Sequence, residues 1–199
     1  NNLYSTVFGS GNSSAINITP IAFLVDTCQN VYISGWGGPL AGTGSSTAGL
    51  PVTGAPNPAF QSTTDGADLY FFALSKNAIA LLYGSFFGGT GLQEHVDGGT
   101  SRFDRNGVVY QSICGGCWGQ SGVPTTPGAF SRTNGSTGCN LVAVKIAFNL
   151  GAVKAEAKAE PDAKGCLPFT VQFQNQSANA ISFDWDFGDG TPGSTLKEP

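Results

Sequence analysis

The chain has 199 residues, a formal net charge of −4, and only 11 % Asp, Glu, Lys and Arg. That charge pattern lacks the clustered Lys and Arg that nucleic acid requires, and no apolar run approaches the ~20 residues of a membrane span. Glycine is abundant at 29 copies and methionine is absent, so the composition predicts short strands joined by turns, an all-β class of one or two domains. No signal peptide opens the chain, and Asn1-Asn2-Leu3 reads as the start of a segment excised from a longer protein.

The first three quarters repeat. Leu3-Tyr4-Ser5-Thr6-Val7-Phe8-Gly9 returns as Leu82-Tyr83-Gly84-Ser85-Phe86-Phe87-Gly88, and Val31-Tyr32-Ile33-Ser34 as Val109-Tyr110-Gln111-Ser112. Pro58-Ala59-Phe60 returns as Gly128-Ala129-Phe130, and Asp68–Leu74 as Asn140–Ile146. The order is kept while loop lengths drift, and the extra residues of the first copy fall in Gly42–Gly54, a Gly/Ser/Thr/Pro tract that predicts a surface loop. Each copy holds about four short strand candidates, the pattern of a propeller blade. Residues 1–152 are thus expected to form two blade-like units of an incomplete ring, since closure needs at least four.

Five cysteines occupy positions 28, 114, 117, 139 and 166. In so turn-rich a chain Cys28, Cys114, Cys117 and Cys139 are disulfide candidates, with Cys139 expected to bond Cys114 or Cys117 and Cys166 left over. A four-cysteine zinc site has only one Cys-x-x-Cys pair to support it. A redox role for Cys114-Gly115-Gly116-Cys117 lacks the following helix that would lower a thiol pKa.

His95, with Ser101, Asp97 and Asp104 nearby, suggests a Ser-His-Asp triad, but no Gly-x-Ser-x-Gly elbow is present. Asp97-Gly98-Gly99-Thr100 reads instead as turn chemistry, with Arg102 pairing Asp104 or Asp97 across it. No catalytic residue is expected. Trp36, Trp118, Tyr32 and Tyr110 fall at or just after equivalent strands. They suit packing between blades, or, for Trp36 and Trp118, stacking on sugar rings at an exposed rim.

Beyond residue 152 the pattern changes. Val153–Pro161 alternates apolar and charged residues and predicts an edge strand. Phe169, Val171 and Phe173 alternate with polar residues, as do Phe183, Trp185 and Phe187 with Asp184 and Asp186. Gly188-Asp189-Gly190 supplies a tight turn. Asp184, Asp186 and Asp189, and separately Asp65 and Asp68, are weak Ca²⁺ candidates, calcium being the one cofactor considered. The turn accounts for Asp189 without metal.

Two resemblances follow from these motifs. Trp185-Asp186-Phe187-Gly188-Asp189-Gly190, preceded by Gly165–Val171, resembles PKD domains, immunoglobulin-like sandwiches of extracellular proteins. This implies that residues 153–199 are the N-terminal part of such a sandwich with Trp185 in its core. Pro124–Phe130 and Leu82–Gly89 resemble the bacterial SBBP propeller repeat. The combined order, with Val25–Cys28, His95–Asp104, Cys114-x-x-Cys117 and Cys139-Asn140-Leu141, resembles large surface proteins of gliding Bacteroidota that carry PKD arrays and leave by type IX secretion. What this implies is a non-enzymatic, extracellular structural and adhesive segment. Its partners would be other modules of the same polypeptide, surface polysaccharide, or secretion and motility machinery. The alternatives are a binding region of a polysaccharide-degrading enzyme and a subunit of an extracellular filament.

Overall fold

In the computed structural model the described residues form nine strands, most of the first seven rich in aromatic and β-branched residues. Those residues are 3–11, 14–55, 58–98, 101–104, 107–148, 150, 155–160, 164–166, 168–177, 180 and 182–199. The chain is all-β. Among the described residues no helix is long and apolar enough to cross a membrane. Contacts divide it into two units, Asn1–Phe148 and Asn149–Pro199, where the sequence suggested 152/153.

In the first unit, β1 (Thr19–Val25), β2 (Val31–Trp36), β3 (Leu69–Leu74) and β4 (Leu81–Phe87) form one antiparallel sheet in chain order. A second sheet joins β5 (Ser101–Phe103), β6 (Val108–Gly115) and β7 (Asn140–Ala147), also in order. The repeat holds at the level of single cross-strand pairs. Val25 faces Val31 as Phe103 faces Val109, and Ile33 faces Phe72 as Gln111 faces Val144. Period-2 patterning sets register residue by residue, so equivalent sequences give equivalent pairs.

β3 is buried along its whole length because both faces of the first sheet are covered. On the outer face Val31, Tyr70, Phe72, Leu74 and Phe86 pack with Leu50, and with Phe8, Ile18, Ile33 and Leu81 at the margin. The other face meets the second sheet. There Phe148 places its ring 5.6 Å from Tyr32, 5.0 Å from Tyr83 and 5.7 Å from Phe103. Buried Ser34 donates to Gln111 Oε1 at 3.1 Å across the same interface. Each aromatic pair adds about 0.5–1.5 kcal/mol beyond its buried area.

Gly42–Gly54 is a largely exposed loop, as expected, but Ser45, Thr47 and Leu50 turn inward, and Thr47 N–H donates to Gly66 O. Small side chains let this tract lie flat on the sheet, with Leu50 as its apolar anchor. Leu3–Gly9 forms no strand, although its copy Leu82–Gly88 coincides with β4.

The closeness of that tract gives a stability prediction. A Cβ on Gly84 would sit 2.5 Å from Pro51 O and 2.6 Å from the Tyr70 hydroxyl, which itself donates to Pro51 O. Gly84→Ala is expected to cost about 1–3 kcal/mol in urea unfolding, the usual overpacking range. Gly54→Ala, where nothing lies within 4 Å, is the silent control.

The second unit pairs β8 (Ala157–Glu160) with β9 (Gln172–Asn175). Of the expected edge strand, Val153, Lys154 and Pro161 lie outside the described residues. Phe169 and Val171 precede the strand, and the 183–187 run contributes only the Trp185–Ser194 bridge. Trp185 is half-buried, not core: its ring meets Phe173 at 5.9 Å and its indole N–H donates to Leu196 O. Two strands and a bridge bury no side chain fully among the described residues, because a sheet face needs an opposing layer.

Candidate functional site

β6 ends at Gly115, and the chain turns sharply through Gly116-Cys117-Trp118-Gly119. All but Cys117 in this turn carry positive φ, Trp118 at 59° and Gly116 at 60°. A bulky side chain there is an outlier that costs ~1–3 kcal/mol and persists only where its surroundings enforce it. The enforcement is visible. Cys117 is buried and bonded to Cys139, just before β7. Asn134 Nδ2 donates to Gly116 O at 2.5 Å and to Gly138 O at 2.9 Å, and Gly119 N–H donates to Gly138 O. The outcome is a Trp118 side chain that is 62 % exposed on a covalently pinned turn. Chemically it offers a flat apolar face and one N–H donor, suited to stacking on a ring.

The first repeat presents the same feature. The offset of 78 that relates Val31 to Val109 carries Leu40 onto Trp118, and Leu40 lies in a matching 3-10 turn, Pro39–Ala41, 49 % exposed. Leu40 was not among the residues singled out from the sequence, though that offset pointed to it. The same offset pairs Trp36 with Cys114. Trp36 is half-buried with its ring 5.7 Å from His95, so it belongs to packing and not to an exposed rim. Tyr32 is buried and donates to Asp26 Oδ2, and burial raises its pKa first, with the Asp26 bond adding. Tyr110 is exposed beneath the Lys145 ammonium.

The cysteine expectations divide. Cys139 takes Cys117, while Cys28, Cys114 and Cys166 are free thiols. Cys28 sits exposed in the β1–β2 turn, away from any second sulfur, because Asp26 closes that turn with Asn30 instead. Cys114 points from the β6 face that carries Tyr110 and Ser112, and donates to Asp97 Oδ2 at 3.4 Å. A four-cysteine zinc set is therefore ruled out by the bond between two of its members.

His95 is bridged to Cys114 through their backbones, and its Nε2 lies 3.3 Å from Asp97 Oδ2. Neither buried Ser101 nor Asp104, which caps the turn into Val108, joins them in a triad. His95, Asp97 and Cys114 do place an N, an O and an S atom within 4.8 Å, a donor set that suits zinc. Burial, then the bond to Asp97, pushes the Cys114 thiol up from its ordinary value. Gly99 and Thr100 of the expected Asp97–Thr100 turn lie outside the described residues.

The acidic candidates are held by backbone. Asp189 accepts from Thr191 N–H and hydroxyl, which hold its carboxyl below the usual range, and Asp186 accepts from Gly188 N–H. Asp184 joins no ligand cluster among the described residues. Asp65 accepts from Ala67 and Gly91 N–H groups. Asp68 instead turns inward beside Glu94, a residue the sequence did not flag. Both are about 1 % exposed, and Asp68 Oδ1 and Glu94 Oε2 lie without hydrogen-bond partners on the same side of Gly88, where a Cβ would stand. Burial raises Glu94 to about 8 and Asp68 to about 6.

No protein-family model matches the chain, and no curated protein or solved structure is significantly similar to it.

Proposed function

We propose that the chain is a structural and adhesive segment of a large extracellular surface protein, holding to glycan or similar surfaces by many weak contacts. The observation that carries this reading is Trp118, an exposed indole held in a costly backbone conformation by a disulfide and by Asn134. Strain of that kind is informative at exposed positions, where packing gives no reason for it. Leu40 at the equivalent place makes the contact a repeated one, and repetition of weak sites is how modules gain avidity. The Cys117–Cys139 bond fits an oxidising, extracellular setting. The blade-like units and the PKD-like segment serve in this reading as spacer and scaffold, without catalysis.

The test is a panel of soluble oligosaccharides titrated by NMR against the intact chain. The Trp118 indole resonance is expected to shift with at least one class, and Trp118→Ala to weaken that interaction about 5- to 100-fold, the ~1–3 kcal/mol of an aromatic platform. Binding unaffected by Trp118→Ala would remove this residue from the account.

A further inference from the structure

Among the described residues the second sheet has three strands where the first has four. In the first sheet β4 pairs with β3, and Thr53 and Gln61 cap β4 from outside: Thr53 N–H donates to Gly84 O, and Phe86 N–H donates to Gln61 O. In the second sheet β7 is the equivalent of β3, and among the described residues no strand pairs with its edge away from β6. A comparable flank stands beside β7: Gly128-Ala129-Phe130 repeats Pro58-Ala59-Phe60, and Ala129 and Phe130 line one opening with Leu141–Ala147. Between it and β7 runs an open groove of about 920 Å³. Phe87 and Phe60 line one end of that groove, so it continues the interface between the two sheets.

The missing strand has a sequence, and the chain contains it. Leu3–Gly9 repeats β4, yet it forms no strand, and Val7 is fully exposed. Its position is equally telling. Phe8 stacks on Tyr70 and Phe72, on the outer face of the first sheet. Phe87, its counterpart, lines the groove with Val142 and Val144, the counterparts of Tyr70 and Phe72. Leu3–Gly9 therefore lies against the first sheet as β4 lies against the second. It also lies on the opposite side of the first sheet from β7, out of reach of its own groove.

We propose that Leu3–Gly9 of one copy of this chain enters the groove of a second copy and pairs with its β7, completing a four-stranded sheet and joining copies head to tail. The β3–β4 register, carried over by the repeat, sets Phe8 opposite Leu141, Val7 opposite Val142 and Thr6 opposite Ala143. Phe130, fully exposed in the single chain, then stacks on Phe8 as Phe60 stacks on Phe87 at 5.8 Å. Val7 becomes buried as Phe86 is. Main-chain bonding supplies affinity and the alternate side chains supply specificity, as in strand addition generally. A head-to-tail contact makes a ring when its rotation closes. This inference does not depend on what surface the molecule holds.

The experiment uses the full chain and Val7→Asp, a change at a position that packs against nothing in the single copy. Light scattering should show the wild-type chain associating with rising concentration, and Val7→Asp monomeric with an unchanged melting temperature. A synthetic peptide of residues 3–9 should bind the Val7→Asp chain, whose groove is intact, and the same peptide carrying Asp at position 7 should not. Thr6→Cys with Ala143→Cys, in a background with Cys28, Cys114 and Cys166 changed to Ser, should yield a disulfide between chains. An assembly state indifferent to Val7→Asp, or a Val7→Asp chain that takes no peptide, overturns the proposal.

Discussion

Raising the pH from 5 to 9 is expected to destabilise the first unit by several kcal/mol, and Glu94→Gln should abolish most of that loss. Glu94 titrates near 8 when folded against an ordinary 4.5, chiefly because burial disfavours its charged form. Asp68 moves the same way, from 3.8 to about 6. A raised folded value means that the native state binds more protons than the unfolded one between those limits. Stability is therefore greatest below about 4.5, falls as pH climbs through 8, and is flat beyond. For Glu94 alone the loss is on the order of 4–5 kcal/mol. Glu94→Gln keeps the size of the side chain and the oxygen that accepts from Gly89 N–H, while removing the charge. Urea unfolding across pH should show the wild type weakening and the variant holding nearly level. A wild-type profile that is flat from 5 to 9 would contradict the burial of this pair.

The second large effect concerns the pinned turn. Cys117 and Cys139 are separated by 22 positions, and a closed loop of that order restrains the unfolded chain by about 3 kcal/mol. Cys139→Ser, with Cys117→Ser to avoid a new free thiol, is expected to lower the melting temperature of the first unit by about 6–12 °C. The variant should also lose more than stability. Without the bond, Trp118 can leave its left-handed conformation, so protease should cut near residues 117–120 and the indole resonance should move toward a random-coil position. A melt that falls while the Trp118 signal stays in place would mean that Asn134 alone holds the turn.

Strand positions in the first unit were legible because both repeat copies obey one period-2 pattern. The offset of 78 that relates Ile33 to Gln111 and the offset of 72 that relates Phe72 to Val144 carry a cross-strand pair of one sheet onto a pair of the other. What the sequence concealed is mostly three-dimensional closure. Gly42–Gly54 is mostly solvent-facing, and because Gly, Ser and Thr give no periodicity only Leu50 signals that part of it turns in over the sheet. Glu94 gave no signal because its burial depends on Asp68 and Gly88 meeting it from another part of the chain. Trp36 drew attention through its residue type, whereas the repeat offset alone identified Leu40 as the partner of Trp118. The sequence leaves Cys139 to bond Cys114 or Cys117; strand alternation turns Cys114 to the far face of β6, and the bond forms with Cys117. Trp185 looked like a core residue by resemblance, and two paired strands cannot supply the layer that a core requires.

The central claim is attachment through repeated weak contacts at Trp118 and Leu40, and adhesion of beads tests it most directly. Beads bearing the chain at graded density would be loaded onto immobilised polysaccharide and sheared until they release. The account predicts retention that rises steeply with density and collapses for the Trp118→Ala, Leu40→Ser double variant at every density. Retention equal for wild type and double variant would contradict it.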